Sequence, residues 1–409
     1  MVSALVITAH PPQLEGIELS GTALRFRRFA EAICEIVEKV DFLHFVGDRF
    51  IAANPDIEAV SARQSALFGR PVVTHLVGCQ WSRQTTFVNH YLSGIASVYE
   101  QDEFYWLCGS GPVDRVGALL KQAPDIVFVH RLPAMLPILR SGRRPTRMFF
   151  DLDDIEHRKR VQESLQPPVR PGKLGQLCQI PALAAAERSG AALSRMTFVC
   201  SEIDRRRLRR LGFPRVAIVP NTLPIPPDFP ELPTAPTILF LGTCWYQPNF
   251  RAAERLVRRI FPRVRAAVPE ARLLIAGPNS LNLPSRRDLP EGVEYLGYVD
   301  DLTGLYASTR LVCCPITGGS GTRTKLIEAA SYARPMVATR FAAEGLDFRD
   351  DVEILLRDTD DALADACVRL LRDGALCRVI GTAARDRMRR TYDASAIRKK
   401  IVQMISEAR

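Results

Sequence analysis

The sequence predicts an α/β protein: two Rossmann-like, doubly wound domains facing each other across a cleft. Short apolar, β-branched runs alternate with amphipathic helical stretches from end to end, the pattern of parallel strands joined by crossover helices. A proline-rich interruption divides the chain once, after which the same rhythm restarts. At 409 residues, each part is long enough to bury its own core.

In the first part, strands are expected at residues 4–9, 42–46, 72–77, 126–130, 148–152, 197–200 and 216–219. A helix over about 22–38 is expected to bury Leu24, Phe29, Ile33 and Ile36. Another begins after Ser201, a good N-cap, and stops near Gly212. Pro220, Pro224, Pro226, Pro227, Pro230 and Pro233 then rule out a helix or central strand, so residues 223–236 read as a linker. Beyond it, strands are expected from Thr237 and at 273–276, 293–295 and 311–315. The resulting division is 1–222, a linker, 237–390, and a C-terminal helix at 391–409 that packs back on the N-terminal domain. Ligands in such sheets bind beyond the carboxyl ends of the strands, here in the cleft.

The chemistry concentrates in Gly318-Gly319-Ser320-Gly321-Thr322-Arg323-Thr324-Lys325-Leu326-Ile327-Glu328. An apolar strand precedes it and a short helix follows. Strand, glycine loop, cation and helix N-terminus together hold a phosphate, through backbone amides and the helix dipole. Lys325 and Glu328 share one helix face and could hold a diphosphate and the hydroxyls of a neighbouring sugar. A plain glycine turn followed by an ordinary helical Lys–Glu pair fits the same residues.

With Arg334-Pro335-Met336-Val337-Ala338-Thr339 and Ala343-Glu344-Gly345-Leu346 behind it, this segment resembles the donor-nucleotide segment of GT-B glycosyltransferases, most of all the retaining group called group 1 or family 4. Three upstream pieces match in order: Ile238-Leu239-Phe240-Leu241-Gly242 with Pro248-Asn249, then Leu273-Leu274-Ile275-Ala276-Gly277-Pro278, then Val293 to Asp300. The resemblance covers about residues 235–395 well and the first 230 loosely. It implies an acceptor-side first domain and a nucleotide-sugar-binding second domain. It implies a metal-independent hexosyltransferase acting on a glycan or lipid-linked acceptor in polysaccharide or glycoconjugate synthesis. A nucleotide diphosphate sugar is then the donor substrate, with no cofactor and no metal site.

Carried over residue by residue, Glu328 matches the second glutamate of the family's Glu-x7-Glu motif and implies a ribose contact. The first glutamate falls on Ser320, a departure, while Gly318 and Gly319 match and Gly321 and Thr322 complete the donor loop. Many relatives carry an arginine just after the glycine at 242 and a lysine several residues on; here Thr243 and Asn249 stand there. Arg323 and Lys325 are the obvious substitutes for those cations. Trp245 and Tyr246 follow a strand's carboxyl end and read as cleft wall. In the first domain, His130 resembles the position that meets the donor sugar. The loop 16–22, with Gly21, resembles the one over the phosphates and acceptor. Asp153 or Asp154 reads as an acceptor contact or a helix cap rather than a metal ligand. Aromatics between 80 and 106, including Trp81, suit either sugar faces or core.

Composition agrees with a soluble globular protein: 47% hydrophobic and 24% charged residues, with no run of the roughly 18–20 apolar residues a span requires. The N-terminus lacks a basic n-region and reads as a first strand. Ten scattered cysteines without a C-x-x-C pair fit a reducing, cytoplasmic setting. The net charge of +10 is spread over both halves, and no nucleic-acid module is present, so nucleic acid is not an expected partner. Arginine clusters at 205–210 and 140–144 are solvated faces or contacts to an anionic membrane, which would place the protein peripherally at its inner face. The competing reading is a non-catalytic GT-B protein serving a glycan-assembly complex, favoured by Ser320 and the missing arginine. A GT-B epimerase or phosphorylase would show extra acid–base groups or a phosphate pocket, and neither pattern stands out.

Overall fold

The computed structural model describes residues 2–14, 21–79, 87–166, 171–288 and 290–408. The loop residues 16–20 and Trp81 lie outside them. The chain forms two units, Met1–Pro220 with Ser395–Arg409, and Asn221–Ala394.

The first unit holds a seven-stranded sheet of β1 (Ser3–Thr8), β2 (Lys39–Gly47), β3 (Val72–Cys79), β4 (Ile126–His130), β5 (Met148–Asp153), β6 (Met196–Val199) and β7 (Val216–Ile218). Their order is β3-β2-β1-β4-β5-β6-β7, and neighbours pair in parallel. Both faces of the central strands β1 and β4 are covered, and those strands are nearly continuous apolar runs. Val127 and Val129 of β4 enter one buried layer with Leu5 and Ile7, while Ile126 and Phe128 enter the other with Ala4 and Val6.

The second unit holds six parallel strands: β8 (Thr237–Leu241), β9 (Arg272–Ala276), β10 (Val293–Gly297), β11 (Leu311–Cys314), β12 (Met336–Ala338) and β13 (Leu355–Leu356), in the order β10-β9-β8-β11-β12-β13. In each sheet the winding reverses once, between β1 and β4 and between β8 and β11. The loops leaving those strands part there, and the crevice they open is where doubly wound sheets take ligands.

Three local features differ from expectation. The helix Gly21–Ile36 buries Arg25, Phe26, Phe29, Ala30 and Ile33, while Leu24 and Ile36 stay partly exposed. An arginine can occupy that stripe because Asp151 on β5 neutralises it. The proline-rich segment is no free spacer. Leu223, Ile225 and Leu232 pack on the second unit's core, and prolines leave carbonyls that arginines satisfy. Arg334 Nη2 donates to Pro230 and Glu231 carbonyls at 2.8 and 3.0 Å, Arg310 to Thr234, and Arg385 to Pro226 while lying over Phe229. Finally, β12 and β13 extend the second sheet beyond the strands expected. The last helix, Ala394–Glu407, places Ile397, Ile401 and Ile405 in the first unit's core beside Phe26, Phe29 and Ile33. Arg147 donates to the carbonyl of Ile405 at 2.6 Å. Among the described residues no helix is long and apolar enough to cross a membrane.

Candidate active site

In the second unit, the helix Thr324–Ser331 follows the loop from β11. Its Leu326, Ile327, Ala329 and Ala330 are buried, which leaves Lys325 and Glu328 on the other face. Lys325 turns back toward the end of β8. Its Nζ donates to Asn249 Oδ1 at 2.8 Å and lies 4.6 Å from the centre of the Phe240 ring. Asn249 in turn donates to the Thr243 carbonyl at 3.0 Å. The ammonium also presses on Gly242, where a Cβ would meet Nζ at 2.4 Å. Gly277 permits this corner: at φ +120°, its missing Cβ would sit 2.3 Å from the Gly242 carbonyl oxygen.

Burial lowers the Lys325 pKa, and neighbouring Arg323 adds to the effect. Burial raises that of Glu328 to about 7, with Lys325 opposing. Glu328 Oε1 is buried and has no hydrogen-bond partner among the described residues. Such an atom costs stability unless a ligand donor meets it. The loop from Gly318 to Thr322 lies against the turn after β8: Ser320 N donates to Tyr246 Oη at 3.3 Å. Trp245 beside it is exposed. Arg323 differs from Lys325 in its partners, since its guanidinium binds carbonyls of its own loop.

Residues 235–373 match the family model described as Glycosyl transferases group 1. The match covers about a third of the chain and most of its second unit. The whole chain has the GT-B fold of two Rossmann-like units. It is similar over 100% of its length to 99% of sucrose-phosphate synthase from Thermosynechococcus elongatus, with a TM-score of 0.69 at 16% identity. It is similar to HepE from Anabaena in complex with UDP and glucose, with a TM-score of 0.61, 13% identity and 100% of both chains covered. The third is WaaG, a glycosyltransferase involved in lipopolysaccharide biosynthesis, with a TM-score of 0.58, 14% identity, and 99% of this chain and 100% of that one covered. No curated protein sequence matches the chain.

The first unit of this GT-B chain has its own polar centre, at the ends of β1, β4 and β5. His130 Nδ1 lies 2.9 Å from Asp151 Oδ2. Arg25 Nε donates to both Asp151 oxygens, at 3.0 and 2.9 Å, and its Nη2 to Oδ1 at 2.6 Å. Burial opposes ionisation of Asp151, but Arg25 and the His130 hydrogen bond outweigh it and hold its pKa below the usual range. An ionised carboxylate only accepts, so Nδ1 carries hydrogen and the imidazole is fixed in place. His130 Nε2 is buried without a hydrogen-bond partner among the described residues. His10 packs beside it with ring centres 5.5 Å apart; burial, then His130 and Arg131, lower its pKa to about 3.

The backbone is strained at the same place. Arg131 has φ +69° and Asp153 φ +52°, a conformation costly for non-glycine residues and concentrated at functional sites. Asp153 lies 3.5 Å from Arg25, and Cys200 Sγ donates to its Oδ1 at 3.3 Å. Asp154 is within 3.4 Å of Arg131. Burial and the adjacent Asp153 raise its pKa to about 6. Gly21 begins the helix that carries Arg25. The structure therefore groups His130 with Asp151 and Arg25, and places Asp153 and Asp154 at the rim of that group. The sequence analysis did not single out Arg25, the pairing of Asp151 with Arg25 and His130, or the bond of Asn249 to Lys325. Among the described residues no three His, Cys, Asp or Glu side chains are grouped to hold a metal ion. In the basic helix Glu202–Arg210, Arg205 and Arg206 pair with Glu202, while Arg209 and Arg210 are exposed.

Proposed function

We propose that this protein transfers a sugar from a nucleotide diphosphate sugar to a glycan or lipid-linked acceptor, with retention of anomeric configuration and no tightly bound divalent cation. The observation that carries this is the Lys325 ammonium, set against Gly242 and Asn249 at the switch point of the second sheet. In many relatives those positions are flanked or occupied by cations; here one lysine from another helix reaches the same corner. As the bond from the anomeric carbon to the diphosphate breaks, its electron pair goes to the phosphate oxygen. Lys325 and the amides of the loop 318–322 stabilise that charge. Glu328 Oε1 accepts a ribose hydroxyl, which relieves its unsatisfied burial. Gly242, Thr243 and Ser320 border the donor. The acceptor hydroxyl forms the new bond to the anomeric carbon and gives up its proton to the departing diphosphate oxygen.

His130 belongs to the donor sugar, held by Asp151 and Arg25 with Nε2 free to bond a hydroxyl. Gly21, Asp153 and Asp154 serve the acceptor side. Arg209 and Arg210 suit an anionic membrane surface, consistent with a lipid-linked acceptor and a cytoplasmic, peripheral protein. Ser320 favours the alternative of a non-catalytic partner, because it replaces a charged group by a hydroxyl.

A thermal-shift panel of UDP-, GDP-, ADP- and TDP-sugars identifies the donor, since a ligand bound only to the native state raises Tm. Product anomers read by NMR then test retention. Inversion, or loss of transfer on EDTA treatment with rescue by Mg²⁺, would contradict the mechanism.

A further inference from the structure

The Arg323 guanidinium gathers the carbonyls of the loop that precedes it. Nη1 donates to Ser320 O at 2.9 Å and to Gly321 O; Nη2 donates to Gly319 O at 2.9 Å and reaches Gly318 O at 3.4 Å. Its carbon lies 5.1 Å from the centre of the Phe341 ring, which supports it from beneath.

In a trans peptide the carbonyl and the following N–H point in opposite directions. Four carbonyls collected on one guanidinium therefore turn the amides of Gly319, Ser320, Gly321 and Thr322 the other way. Ser320 N meets Tyr246 Oη; the amides of Gly319, Gly321 and Thr322 make no hydrogen bond among the described residues. Gly319 and Gly321 supply φ values of +101° and +78°. Gly319 also lacks room for a side chain, since a Cβ would lie 2.7 Å from both Pro248 Cγ and Tyr246 Oη. Neighbouring amides turned to one side, here those of Gly319, Gly321 and Thr322, form an anion-binding concavity.

We infer that Arg323 is a positioning residue: it shapes residues 318–322 into an amide nest for the leaving diphosphate and is not itself the phosphate ligand. This rests on the donor reading of the second unit, and it separates Arg323 from Lys325, which the sequence pairs as equivalent cations. A lysine is a point charge and cannot bridge four carbonyls in a plane.

The test is calorimetric titration of wild type, Arg323→Ala and Arg323→Lys with UDP, GDP, ADP and TDP, and with the matching nucleosides as controls. With the diphosphate that wild type binds, both variants should lose affinity alike, on the order of tenfold to a hundredfold. Nucleoside affinity should be unchanged. Millimolar methylguanidinium should restore part of the loss in Arg323→Ala. Phe341→Leu, which keeps the loop and the charge, should show a smaller loss in the same direction. Wild-type affinity in Arg323→Lys would show that a charge alone suffices and overturn the inference. Wild-type affinity in Arg323→Ala would do the same. A wild-type protein that binds none of the four diphosphates would instead overturn the donor reading and the inference with it.

Discussion

Replacing Gly242 by alanine should damage donor binding while leaving the fold intact. Gly242 is absent from the positive-φ residues, so its backbone accepts an L-residue without strain. The new methyl would sit 2.4 Å from Lys325 Nζ and 3.0 Å from Asn249 Cγ, against an ordinary contact of 3.4 Å or more. The ammonium, the far end of a flexible chain, must retreat by about 1 Å, and a misplacement of that size at a reacting centre costs up to about 10²-fold in rate. Stability should hold or rise by about 0.4–1 kcal/mol, because alanine restricts the unfolded chain. Donor affinity by calorimetry and melting temperature by circular dichroism should therefore move independently. Gly242→Ala with wild-type donor affinity would refute the placement of Lys325. A variant that melts early would show that the corner is structural instead.

Glu328→Gln should raise donor KM and yet stabilise the unliganded protein at high pH. The folded carboxyl titrates near 7 against an ordinary 4.5, so the native state holds the extra proton across that window and stability falls as pH rises through it. Removing the group should add on the order of 2–4 kcal/mol at pH 8 and nothing at pH 4, checked by urea denaturation at both. Gly277→Ala combines positive φ with backbone overlap against Gly242 and should cost about 3 kcal/mol or more, a fall of roughly 6–12 °C in Tm by calorimetric scan. Asp151→Asn leaves buried Arg25 without its carboxylate and should destabilise by about 3–5 kcal/mol, measured by denaturant titration; a loss under 1 kcal/mol would mean Arg25 finds another partner.

Alternating strand and helix patterns made both sheets legible, with strand boundaries displaced by one to three residues. The short β12 and β13 escaped because three and two residues carry little periodicity. Within the site, Lys325 and Glu328 were readable from local spacing on one helix. The contact of Lys325 with Asn249 joins elements 76 residues apart, and no local pattern announces it. Arg25 was readable only as an arginine out of place in an apolar stripe, since its reason lies 126 residues away at Asp151. The turning back of Arg323 onto its own loop depends on the φ angles of two glycines, which composition allows but does not dictate. The proline segment read as a spacer because prolines exclude regular structure; its docking depends on arginines far along the chain.

Lys325→Ala tests the account most directly, by equilibrium binding of UDP, GDP, ADP and TDP to the variant and to wild type, with the matching nucleosides alongside. Wild type should bind one of these diphosphates in a single site. Losing the ammonium removes a charge-assisted contact worth about 2.7–4 kcal/mol, so the variant should bind that diphosphate roughly 10²–10³-fold more weakly and the nucleoside equally well. A folded Lys325→Ala protein that binds the diphosphate as tightly as wild type would place the phosphates elsewhere and contradict the assignment of this site.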